Sequence, residues 1–217
     1  MRAPTQAEIL IADRSALVQE AFKIEYLTIA WMLIEAAVAI GSGLKAASLT
    51  LLAFGFDSLI ELASASVLVW RLRVELQHGH LFAQSAEHRA ARIGGALLFA
   101  LAIYVVAAAG WKLWTQQGAE FSLTGLVVSV LAMPIMYVLA RRKLRLAEAL
   151  ESRALRADAV ESITCGWLSL VVVAALLAQL AIDAWWVDAV ASLGVVWLLV
   201  REGREAWRGE ECCDHCT

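Results

Sequence analysis

Two carboxylates, Asp57 and Glu61, stand four positions apart inside LTLLAFGFDSLIELASASVLVW, a stretch with no other charged residue. That offset stacks both side chains on one face of a helix. A second pair at the same offset, Glu161 and Cys165, lies in ADAVESITCGWLSL. Two helices that each present two donors, one above the other, can set oxygen and sulfur ligands around one ion in a tetrahedral arrangement. Each ionisable group at the centre of an apolar helix costs about 2.5–3.5 kcal/mol, and a bound divalent cation would offset that cost. Thiolate beside carboxylate fits Zn, Cd, Co or ferrous Fe better than Mg or Ca. Read singly, Cys165 also fits core packing and Glu161 an interfacial side chain reaching for the headgroups. Asp57 and Glu61, roughly 15–20 Å along the helix from Arg71, are too deep to reach them. Measured from Arg156, Cys165 lies about 13 Å deep and Glu161 about 7 Å, so tilt, axial offset or a water cavity must bring the two pairs level.

Other groups need a place in the same scheme. Glu35, about 18 Å past Lys23, is level with the Asp57–Glu61 pair; it reads either as a group supporting the ligands or carrying protons, or as the partner of a polar neighbour. Asp188 follows Trp185 and Trp186, where a carboxylate gains from the amino-terminal dipole of its own helix, with proton coupling as the functional alternative. Asp158, beside Arg156, reads as interfacial, placed to draw cations inward. The tail GEECCDHC gathers Cys212, Cys213, His215 and Cys216. These soft donors suit zinc, cadmium or cuprous copper, but their spacing is too compressed for a folded structural zinc site. A flexible metal-collecting tail and an ordinary reduced tail are both open. His78, His80 and His88 could assist capture or be merely solvated.

The elements that must hold these residues are membrane helices. The chain has 217 residues, 61% hydrophobic and 18% charged, with 2 prolines and a mean hydropathy of +0.68, which excludes a soluble enzyme. Six apolar runs, near 26–47, 49–70, 93–115, 121–140, 159–182 and 184–200, are each long enough to cross about 30 Å of hydrocarbon. Lys and Arg sort by side: 3 in residues 1–23, 4 in 71–92, 6 in 141–156 and 3 in the tail, 16 together, against Lys45 and Lys112 opposite. The positive-inside bias therefore puts both termini and the two longer loops in the cytoplasm. Trp70, Trp111, Trp114, Trp185 and Trp186 fall near span ends as interfacial anchors. The expected organisation is an all-α membrane protein: a cytoplasmic segment (1–23), a six-transmembrane-helix bundle (24–209) and a cytoplasmic Cys/His tail (210–217). Residues 1–23 lack signal-peptide features, so the first span serves as the targeting signal. The short links between spans one and two and between five and six make each pair antiparallel neighbours. Small residues in span two (Ala63, Ser64, Ala65, Ser66) and span three (Gly94, Gly95, Ala96, Ala100) permit close helix contact, within the bundle or between protomers. No basic face for nucleic acid and no zinc-protease or nucleophile motif stands out, so no enzyme is expected.

With these motifs in view, the chain resembles the cation diffusion facilitator family, proton-coupled exporters of divalent metals. FDSLIELASASVLVWRLR is similar to that family's second helix, LRADAVESITCGWLSL to its fifth and WWVDAVASLGVVWLLVREGREAW to its sixth. The likeness covers about residues 24–209. It implies a metal site at Asp57, Glu61, Glu161 and Cys165, a homodimer in the cell (inner) membrane, and efflux of a divalent transition metal, zinc first among them, as transported substrate without any prosthetic group. Better-known members carry His or Asp followed by Asp in the fifth helix, so Glu161 and Cys165 are a departure that affects metal preference. The chain stops at Thr217, without the family's usual cytoplasmic ferredoxin-like domain, and any sensing or dimer locking by that domain is expected to be lost.

Carboxylates and a thiol gathered in low dielectric cannot all ionise without a cation, so protons and metal compete for the cluster. If the site faces alternate sides of the membrane, the exchange is antiport. The rival readings are a membrane thiol-redox or metal-handing protein working through the tail, and a non-transporting scaffold.

Overall fold

The computed structural model describes residues 6–78, 84–182 and 184–208. The tail cysteines, His215 and His80 lie outside them. Six helices follow in order: α1 (Gln6–Lys45), α2 (Leu49–His78), α3 (Gln84–Thr115), α4 (Leu123–Leu150), α5 (Arg153–Ile182) and α6 (Val187–Arg208). No strand occurs among the described residues.

Five segments are long and apolar enough to cross a membrane: Ala16–Lys45, Leu49–Trp70, Gly95–Thr115, Leu123–Leu150 and Leu155–Ile182. α6 falls short by composition, because its second half carries Arg201, Glu202, Arg204, Glu205 and Arg208. The outer surface is oily, with Leu27, Leu33, Ile103, Trp111, Trp167 and Trp197 all exposed, while Glu25, Glu35, Asp57, Glu61, Lys143 and Asp158 are buried. Apolar groups facing out and charges facing in suit a lipid surround, in which every polar group must find its partner inside the protein.

The helices run past the apolar runs. Both expected longer loops are mostly helical: α2 and α3 extend to His78 and back from Gln84, and α4 and α5 are separated only by Glu151 and Ser152. Strong helix formers such as RRKLRLAEAL continue α4 beyond its apolar run. The turn after it is set by Glu151 in the left-handed region (φ 51°), whose N–H donates to the Ala147 and Glu148 carbonyls. The first expected segment, 1–23, likewise continues α1 from Gln6, with Val18 and Ala21 buried.

The other three short connections, α1–α2, α3–α4 and α5–α6, gather at one end. Ala47 (φ 49°) turns the chain between α1 and α2, with the Ser48 N–H reaching the Gly43 carbonyl at 2.9 Å and the Glu120 N–H reaching the Ala46 carbonyl at 2.8 Å. Gln179 donates to the Ala119 carbonyl, tying α5 to the α3–α4 link. Within the bundle α1 packs chiefly on α2, α4 on α5 and α3 on α6. The tight α5–α6 link makes those two neighbours, yet α6 leans mainly on α3, where a Cβ on Gly203 would meet the Gly95 carbonyl at 3.3 Å. Close approach at Gly95 is therefore used inside the bundle. α1 and α2 are closer still: a Cβ on Gly55 would lie 2.6 Å from Ile40 Cγ1 and 2.9 Å from its backbone nitrogen.

A candidate cation site between α2 and α5

α2 and α5 pack against each other and turn the paired residues inward. Asp57, Glu61 and Cys165 are buried, and Glu161 is half-buried. The Cys165 thiol lies within hydrogen-bonding reach of Glu61 and donates to Glu35 Oε1 at 3.5 Å. Asp57 is close enough to feel the charges of Glu61 and Glu35. Glu161 comes within reach of Ser64 of α2 and is close enough to Glu61 for their charges to interact. Ser162 donates from α5 to Glu61 Oε1 at 3.2 Å. The two faces thus meet, although no three His, Cys, Asp or Glu side chains close into a metal-holding group among the described residues.

Glu35 brings α1 into this region. Its Oε1 also accepts from Ser58 at 2.8 Å, and its Oε2 from Trp31 Nε1 at 2.5 Å. Three donors from α1, α2 and α5 therefore converge on one buried carboxylate. Asp188 sits elsewhere, among the short connections. It accepts from Ser48 Oγ at 2.6 Å, the Leu49 N–H at 2.8 Å and the Thr50 N–H at 3.3 Å, and it pairs with Lys112 at 3.3 Å. The helix start it caps is that of α2 rather than its own.

Asp158 faces the protein interior rather than the outside. It is 4% exposed and bound to Lys143, whose side chain is fully buried. Lys143 Nζ also donates to Ser162 Oγ at 3.2 Å and stands 3.4 Å from Glu25 Oε2. Sequence reasoning missed this cluster by counting Lys143 among the solvated loop charges and leaving Glu25 out. A signal existed: Met136, Leu139, Lys143, Leu146 and Leu150 recur at helical spacing on the buried stripe of α4. Ala21, Glu25, Thr28, Met32 and Glu35 do the same on α1.

A helical membrane bundle with an acid-lined interior and a thiol at its centre belongs to the class of ion-handling membrane proteins. More narrowly, residues 26–208 match the cation efflux transmembrane domain, and the chain belongs to that family. It is also 30% identical over 153 residues to the uncharacterized transporter sll1263 of Synechocystis sp. (strain ATCC 27184 / PCC 6803 / Kazusa), covering 68% of this chain and 49% of that protein. The chain thus spans about half the length of this relative.

Proposed function

We propose that the protein carries a divalent transition-metal cation across the membrane, out of the cytoplasm and in exchange for protons, through a site made by Asp57, Glu61, Glu161 and Cys165. The observation that carries this reading is the meeting of Asp57 and Glu61 on α2 with Cys165 on α5 in the interior of a cation efflux domain. Thiolate with carboxylates favours Zn, Cd, Co or ferrous Fe, zinc first. Glu35, bonded to the thiol, supports the ligand set and takes part in proton exchange. Asp188, held by α2 and Lys112, has a structural role. Six crossings of a bacterial-type inner membrane, cytoplasmic termini and a homodimer complete the proposal, the charge asymmetry along the chain supporting the orientation.

The test is uptake into proteoliposomes of Zn, Cd, Co, Fe and Mn with and without an imposed pH gradient. Wild-type protein is expected to move zinc faster with the gradient than without it. Asp57→Asn should cut flux at least about a hundredfold, the loss of about 2.7 kcal/mol of binding to one charged ligand, while the protein stays folded. Undiminished flux from that variant refutes the site.

A further inference from the structure

On the α4–α5 side of the candidate site, α1, α4 and α5 bury two carboxylates and one ammonium together. Glu25 and Lys143 are fully buried, and Asp158 is 4% exposed. One ammonium faces two carboxyl groups. Glu25 Oε2 stands 3.4 Å from Lys143 Nζ, but neither Glu25 oxygen nor Asp158 Oδ1 accepts a well-directed hydrogen bond. An unpaired buried carboxylate oxygen is costly, and a long lysine stem answers with one point charge where several oxygens ask for more. Such oxygens are the ligands that hard and borderline divalent cations take.

We propose that Glu25 and Asp158 form a second cation site, in which the Lys143 ammonium stands in for a divalent ion and competes with it strongly enough that dilute ion does not fill the wild-type site. Ser162 joins this site to the first, because its hydroxyl lies 3.2 Å from Lys143 Nζ and 3.2 Å from Glu61 Oε1. An ion arriving from the α4–α5 end meets Glu25 and Asp158 before it meets Glu61. That order rests on the proposed transport site; the binding itself does not. The donors are oxygens alone, so this antechamber discriminates less against Mn than a site containing Cys165 does.

Lys143→Met keeps the volume of the stem and removes the tethered charge. With Mn2+ as the probe, read by electron paramagnetic resonance on the full chain in detergent, the variant is expected to bind one more equivalent than wild type. A triple variant that adds Glu25→Gln and Asp158→Asn should lose that equivalent. If Lys143→Met misfolds in chelator, Mn2+ should restore a cooperative melt. A variant that folds yet gains no equivalent overturns the proposal, as does one that stays unfolded with Mn2+ present. Failure here with flux still lost in Asp57→Asn would sink the second site alone; a gained equivalent with undiminished Asp57→Asn flux would sink the transport site alone.

Discussion

The bundle buries a lysine against carboxylate at both ends, and the two arrangements differ in how completely they are satisfied. At the end with the short connections, Asp188 collects Ser48, two backbone N–H groups of α2 and Lys112, while Lys112 also donates to the Ala47 carbonyl. At the other end Lys143 meets Asp158, Ser162 and Glu25, yet three carboxylate oxygens go without a hydrogen bond. A saturated cluster fixes helices in place. An unsaturated one leaves room for a rival charge. Burial alone would not separate the two, because Asp188 and Asp158 are equally hidden at 4% exposure; the count of partners does.

The comparison can be broken in several ways. Asp188→Ala strands Lys112 and frees the α2 start, so it should cost about 3–5 kcal/mol, the range for breaking a buried pair, seen as a lower melting temperature that Mn2+ does not restore. Lys143→Met should cost a similar amount, about 3–5 kcal/mol in chelator, but recover with Mn2+. Equal response of both variants to the metal would erase the distinction. Ser48→Ala removes a cap and an Asp188 donor together and should cost about 1–2 kcal/mol. Glu25→Gln should shift stability by under about 1 kcal/mol, since its carboxylate accepts no hydrogen bond; a larger loss by calorimetry would mean that the Lys143 pair is a tie of the same kind as Asp188.

Much of this was legible in the sequence. Five of the six apolar runs located segments long and apolar enough to cross a membrane, and the i, i+4 acids of α2 announced the interior face. The helix ends were less legible, since residues such as Arg142, Arg145 and Glu148 are equally at home in a solvated loop or in helix that continues past the hydrocarbon. Glu25 and Lys143 were hidden for a related reason. They lie near charged flanks, where a lone ionisable group ordinarily faces water, and only their register with Met32 and Met136 betrays that they turn inward. Asp188 shows the same limit: it does open its own helix, as its position suggests, but its side-chain partners lie 76 to 140 residues away.

The Asp188 clamp has a mechanical corollary. With the beginning of α2 riveted to α6 and Lys112, any tilting that leaves the rivet intact must pivot there, so displacement grows with distance along the rod. A swing of about 10° would carry Asp57 roughly 2 Å but Trp70 roughly 5 Å, given about 1.5 Å of rise per residue. Leverage is therefore greatest at the end where Lys143 sits.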